Sequence, residues 1–512
     1  MDDFLIRKDG LNLLQHAALY GLADVVTALY FYSDFPELSK AVVEGEGEFA
    51  GLTALQLAEK ARNTKVADRI SDLLAADEHL SVLHRKARMG DIEAVKKLLA
   101  EKEVDVNITG SYGNTPLYMA SAAGRFEIVK LLISAGADFL LRNSKGFAPV
   151  HISSMMGHGD VVRFLLEKGC DIHESENCDF IPLHPASDFG HAEVADLLIK
   201  HGSKIDVPSG SKSQCAPLHY AAGNGHKRLV EILLENGADV NFGNRQCSKA
   251  LHYAAGYGHL EVARLLVEHG AYVKAVNENE RSALHLATEK GQKAMAEFLI
   301  ENGAAVNEPD QHGRTALELA ASKGHLDLLE ILIKHTSSVD IKDEYDMTPL
   351  LCAAENGHFS IVERLITEGA DVNSIGRHWN RPIHFAAWGG HANIIDLLVR
   401  NGAQVTVENF AKVTALSYAA MYGHELAVRA LLDHGAEVDP RDAEGHSPLY
   451  YAAHNGHLAV CELLLDKGAD PGLKWNSFNF NTPTYAAVTR NHDEVAELLK
   501  SKGGKVYRCL IQ

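Results

Sequence analysis

The stretch Thr348-Pro349-Leu350-Leu351-Cys352-Ala353-Ala354-Glu355-Asn356-Gly357-His358, followed by a helical pattern and then Glu368-Gly369-Ala370-Asp371-Val372-Asn373, decides how this chain is read. It recurs with variations about every 33 residues. Taking the Thr of its opening, or whatever stands there, as a phase marker, fifteen markers run from Asn12 to Thr482. The first two intervals are 41 and 28 residues, and every later one is 33 to 35. A fixed period in this range is the signature of a repeat solenoid, whose units bury their apolar faces only against one another. It overrides the roughly three or four ordinary domains that the chain length alone suggests.

Each part of the period has a local cause. Thr or Ser before Pro supplies an N-cap hydroxyl, with proline at the first helical position. The Ala-Ala pair, as in Ala254-Ala255, is small enough for neighbouring helix pairs to approach closely. Glycine before histidine, as in Gly258-His259, ends the first helix with a residue that tolerates the left-handed conformation. The second helix shows apolar residues at helical spacing, as in Leu260, Val262, Leu265 and Leu266, and closes at Gly270. Residues 271–281 then read as an extended finger leading to the next turn.

These motifs resemble the ankyrin repeat family. Tyr112-Gly113-Asn114-Thr115-Pro116-Leu117 resembles the family's opening. Ala216-Pro217-Leu218-His219-Tyr220-Ala221-Ala222-Gly223-Asn224-Gly225-His226 resembles its first helix, and Glu235-Asn236-Gly237-Ala238-Asp239-Val240-Asn241 its close. The resemblance covers about residues 10 to 507. It implies an all-α solenoid of paired antiparallel helices with β-hairpin or extended fingers. It also implies a protein or peptide partner lying in a concave groove between the finger tips and the first helices. Residues 1–80 are expected to be degenerate cap repeats, 81–500 the regular array, and 501–512 a basic tail. The long connection 33–51, and Arg62 where glycine is usual, mark the irregular start.

Composition narrows the function classes. A net charge of -19 argues against binding a phosphate backbone, which needs a basic face, and favours basic partners. Seven scattered cysteines without a Cys-x-x-Cys suit a reducing compartment, and no apolar run approaches the length of a membrane span. The expectation is a cytoplasmic monomer without cofactor or metal, and not an enzyme. The glycines of Val42-Val43-Glu44-Gly45-Glu46-Gly47-Glu48 imitate a dinucleotide fingerprint. Their glutamates occupy the place a pyrophosphate would need, so a surface loop is expected. Of the 28 histidines, nine follow glycine and seven occupy the Leu-His position, and these 16 read as repeat-to-repeat hydrogen-bonding groups. Cys170, His173 and Cys178 share one finger without a zinc-like spacing.

Residues that escape the repeat carry the candidate sites. In the groove implied by the resemblance, the two residues before each Gly-His point at a partner. This nominates Phe189, Tyr257, Trp388, Met421 and Tyr422, and the finger tips add Trp379, Phe410, Phe478 and Phe480. Aromatic and Met side chains at exposed positions are typical of binding hot spots. The family also suggests Asn107, Asn241, Asn307 and Asn373 as asparaginyl hydroxylation sites, where the same pattern is simply the consensus turn. At the far end, Cys509-Leu510-Ile511-Gln512 has the form of a farnesylation box beside Lys500, Lys502, Lys505 and Arg508. Such a lipid plus basic residues would tether the protein to the cytoplasmic face of a membrane. The same residues also read as an unfinished finger. The leading expectation is a protein-binding scaffold or adaptor. The alternatives are the recognition subunit of a ubiquitin ligase or other enzyme complex, and a host-directed effector of an intracellular bacterium.

Overall fold

The computed structural model describes residues 54–60, 66–67, 70, 80–101, 104–173, 180–210, 212, 214–473 and 482–505. The glycine-rich stretch at 42–48, Arg62, Cys178, Phe478, Phe480 and Cys509 lie outside them. Among the described residues are 27 α-helices and two 3-10 turns. From Val82–Met89 to Asp493–Ser501 the helices form thirteen inner–outer pairs in the expected register, preceded by Ala54–Lys60. The all-α class is as the sequence indicates, and the fingers are of the extended kind. Their one isolated antiparallel bridge among the described residues joins Val276 and Ser282.

The chain forms two compact units, residues 1–250 with 261–271, and residues 251–260 with 272–512. In the first, the inner helices Val82–Met89, Pro116–Ala122, Pro149–Met155, Leu183–Asp188 and Pro217–Gly223 pack in sequence, each on the next. In the second, the inner helices from Ala283–Glu289 to Pro483–Thr489 do the same. Within each unit, outer helices such as Phe126–Ser134 and Phe359–Thr367 pack on their own inner helix and on the outer helix of the next repeat. The Ala-Ala pairs are fully buried, as at Ala353-Ala354, Ala386-Ala387 and Ala419-Ala420.

Helix starts follow the capping chemistry. Thr115 accepts from the Tyr118 N–H at 3.1 Å, and Thr348 from that of Leu351 at 3.3 Å. An N-cap hydroxyl of this kind contributes about 1 kcal/mol. Where Ala216 or Arg381 replaces it, His219 or His384 turns back and accepts the cap N–H through Nδ1, at 3.1 and 3.0 Å. The same rings reach forward through Nε2 to carbonyls of the following finger. His219 bonds Ser248 at 2.9 Å and His384 bonds Val407 at 3.2 Å. Each ring is therefore neutral, protonated at Nε2, and shared by two repeats. Burial lowers the affinity of these imidazoles for a second proton, to a pKa of about 4 at His184 and His384.

The glycine–histidine step makes a second staple. Histidines 158, 191, 226, 325, 358, 391, 424 and 457 each bond the carbonyl two residues before the glycine of the preceding repeat, at 2.9–3.4 Å. That glycine is left-handed and lies directly under the ring. At Gly423, φ is 78° and a Cβ would come within 2.6 Å of His457. At Gly435, which closes the outer helix, φ is 84° but nothing lies within 4 Å. Alanine at either position incurs the left-handed strain of about 1–2 kcal/mol. Only at 423 must it also displace a bonded ring. Gly423→Ala is expected to cost at least about 1 kcal/mol more than Gly435→Ala, the net worth of one buried hydrogen bond. Urea unfolding midpoints of the two variants test this, and equal losses would remove the staple from the account.

Glu318 departs from the pattern. It occupies the Leu-His position, is 3% exposed, and accepts from the Cys352 thiol at 3.8 Å. Burial raises its pKa to about 8, with Asp343 adding to the rise and Arg314 opposing it. A carboxyl raised in this way binds more protons folded than unfolded between about pH 4.5 and 8. Its contribution is full at low pH and lost as pH rises through 8. The buried histidines act in the opposite sense, so the comparison must be differential. Wild type should lose stability relative to Glu318→Gln as pH rises from 5 to 8, at up to about 1.4 kcal/mol per unit. A pH-independent difference in unfolding free energy would show that Glu318 titrates normally.

Candidate functional site

The fingers are shaped by one side chain. Asp343 Oδ1 accepts from the N–H groups of Tyr345 and Met347 at 2.8 and 2.7 Å. Asn143, Asn277, Asp310, Asn409 and Asp442 serve equivalently. Each turn then needs a left-handed residue two places before the phase marker. Glycine fills it at 113, 146, 313 and 445, and Gln214, Cys247, Glu280, Asp346, Trp379 and Lys412 fill it elsewhere, with φ of 52° to 62°. Successive tips are tied by backbone bonds, Glu344 to His312, Phe410 to His378 and Ala443 to Ala411, at 2.9–3.0 Å. Side chains at the tips are thus set in a row rather than left loose.

Within the second unit this row brings Trp379 and Phe410 together. Their rings meet edge to face at 5.7 Å while 62% and 72% of each residue stays exposed. Behind them, Arg377 in the same turn as Trp379 lies over Trp388 at 5.5 Å and over Phe385 at 5.4 Å. Its guanidinium is also paired with Glu355. Trp388 stacks on Tyr418 and Tyr422, both at 6.0 Å with interplanar angles of 10° and 18°. Its carbonyl is held by His424 at 2.9 Å. The inner-helix end is therefore a flat aromatic column with a guanidinium across it, and Tyr422 remains 45% exposed. One repeat further, Tyr450 and His454 stack at 6.0 Å, and Arg490 donates to His454 at 3.1 Å.

The nominated residues do not all belong to this site. Trp379, Trp388 and Tyr422 do, with Trp388 half-buried by its own neighbours rather than fully presented. Met421 is half-buried, and its carbonyl receives Asn455 and His457. Phe189, 53% exposed, lies in the first unit, and Tyr257, 66% exposed, stacks on His259. Neither joins the column. Residue-by-residue reading missed Arg377, Phe385 and Tyr418. The signal for two of them was present: Phe385, Tyr418 and Tyr451 share one register, four places after the phase marker, where the preceding repeats carry Leu319 and Cys352. Asn241 and Asn373 reach the carbonyls of Gly270 and Gly402 at 3.0 Å, so the consensus turn uses them to bridge repeats.

No cluster of metal-ligating side chains occurs among the described residues, and no described helix is long and apolar enough to cross a membrane. The fold is a helical repeat array with an aromatic face on its second unit. The family model for ankyrin repeats (3 copies) matches residues 83–176, 173–244, 243–310, 307–376, 335–409 and 383–475. The chain belongs to the ankyrin repeat family, whose arrays are protein–protein interaction scaffolds. Comparison with curated proteins gives no match. Among solved structures it is similar to the crystal structure of human ASB11 ankyrin repeat domain, at 28% identity and a TM-score of 0.41. That likeness covers 44% of this chain and 100% of the other, and is too loose to carry an argument.

Proposed function

We propose that this protein is a non-catalytic scaffold that grips a peptide or protein surface on the face running from Trp379 through Trp388 and Tyr422 to Arg490. The observation that carries the reading is the Trp379–Phe410 pair, two large aromatics in contact with each other and mostly in water. Exposing them forfeits burial worth about 25 cal/mol per Å² of apolar surface. Trp379 in addition occupies a left-handed turn position that glycine fills in four other fingers and that smaller or more flexible side chains (Gln214, Cys247, Glu280, Asp346, Lys412) fill in five. A bulky residue there carries strain of about 1–2 kcal/mol. Cost of both kinds at one place is expected of a contact residue, because a partner recovers the first on binding.

Trp379→Gly restores the common turn residue while removing the ring. It is expected to leave the thermal midpoint unchanged or higher, and to weaken capture of the bound partner at least about 30-fold, a loss typical of a hot spot of about 2 kcal/mol. Tyr422→Ala should weaken capture comparably. Pull-down titration against the wild-type partner, beside a thermal melt of each variant, decides the matter. Undiminished capture by both variants would exclude this face.

A further inference from the structure

The inner helices of this face lack the carboxylates that make the protein as a whole acidic. In the last four repeats the inner helices Pro382–Trp388, Ala415–Met421, Pro448–His454 and Pro483–Thr489 contain no Asp or Glu. The paired outer helices contain one in Ala392–Arg400, two each in Glu425–Asp433 and Leu458–Asp466, and three in Asp493–Ser501, eight in all. The three inner helices before them each carry a glutamate, at 289, 318 and 355. The inner helices are thus free of carboxylates over the stretch where the aromatic column lies, as several earlier ones are, such as Pro149–Met155 and Pro217–Gly223.

Two cations remain available there. Lys412 is exposed at the tip beside Phe410, and Arg490 is exposed beyond Tyr422. Neither has an acidic partner among the described residues, and Arg490 makes only its bond to His454. The finger carboxylates of this region differ in how they are engaged, and Glu408, Glu437 and Glu444 are exposed. Glu408 and Glu437 line one small crevice with Val405 and Pro440. Asp442 is taken by His446 and Tyr451, Glu444 lies 3.5 Å from His446, and Asp439 accepts the Asp470 N–H. Glu355 is spent on Arg377.

We propose that the partner segment is an extended acidic peptide, whose carboxylates meet Lys412 and Arg490 and whose apolar side chains lie on Trp379, Phe410 and Tyr422. This rests on the binding reading above and adds the charge class of the ligand. Net charge alone pointed to basic partners, but recognition is set by the local field of the face that is touched. The acidic outer helices would repel such a peptide and so restrict it to the inner face. Single-stranded nucleic acid is the other polyanion that stacks on aromatics. It needs a basic row along its backbone, and two separated cations do not make one.

The test uses the full chain and fluorescence anisotropy with a labelled peptide alternating Glu with Phe and Leu. Its Gln-for-Glu and Lys-for-Glu counterparts and an oligo-dT are titrated beside it. The acidic peptide is expected to bind at least tenfold tighter than the Gln counterpart at low salt and to weaken as salt rises. Lys412→Glu with Arg490→Glu should remove that advantage, and Lys412→Gln with Arg490→Gln should reduce it, with unchanged thermal melts. Equal binding of the three peptides, an advantage that survives charge reversal, or tighter binding of oligo-dT would each overturn the proposal. The scaffold reading fails separately: if Trp379→Gly and Tyr422→Ala bind every peptide like wild type, the aromatic face is not the site. If those variants weaken all peptides alike while charge reversal changes none, the face binds but its ligand is not acidic.

Discussion

One repeat after another is tied to the next through a glycine under a histidine. The inner helix must stop and reverse within two residues, which requires a left-handed residue, and the next repeat's imidazole occupies the space a Cβ would need. That ring then bonds the carbonyl at the end of the preceding inner helix. A side chain on the glycine would disturb the turn, the approach of the neighbour and the bond together. In a stack with only nearest-neighbour contacts, such couplings are what join one repeat's stability to the next. The second set of histidines does the same from the other end of the inner helix, joining a helix cap to the following finger.

Stapling has a functional consequence. The carbonyl that accepts the histidine belongs to the residue two places before the glycine, so the backbone of Trp388, Met421 and His454 is fixed by the neighbouring repeat. Side chains there are held at constant spacing and can vary without disturbing the array. The finger tips are fixed separately, by a carboxylate or amide within each turn and by tip-to-tip backbone bonds. A binding face assembled on these two rows is preorganised, and preorganisation lowers the entropy cost of association.

Where the chain departs from its own repeat, the departures differ in kind. Glu318 replaces a stapling histidine and is buried beside the Cys352 thiol, a change that acts on stability and its pH dependence. Trp379 puts an indole at a left-handed turn position and is exposed, a change that acts on the surface. In sequence both are simply breaks in a pattern. Burial separates them, because a carboxyl withdrawn from water shifts its proton affinity while an indole left in water gains nothing until something covers it.

The helix pairs, their caps, the left-handed glycines and the linking role of the histidines were all legible from a 33-residue period, because those properties depend on residues close in sequence or one repeat apart. The aromatic residues Trp379, Trp388 and Tyr422 were legible as exceptions to that period. Their division of labour was not. Trp388 is largely a support, stacked on Tyr418 under Arg377, whereas Trp379 and Phe410 are the exposed pair. Arg377 escaped notice because a charged residue in a finger has no distinctive spacing. The amino-acid sequence by itself determined that the chain is an ankyrin array, since one repeated set of local and nearest-neighbour interactions suffices to specify it. Only the tertiary structure decided which aromatic side chains support one another and which stay exposed, because that depends on contacts between repeats that the period does not encode.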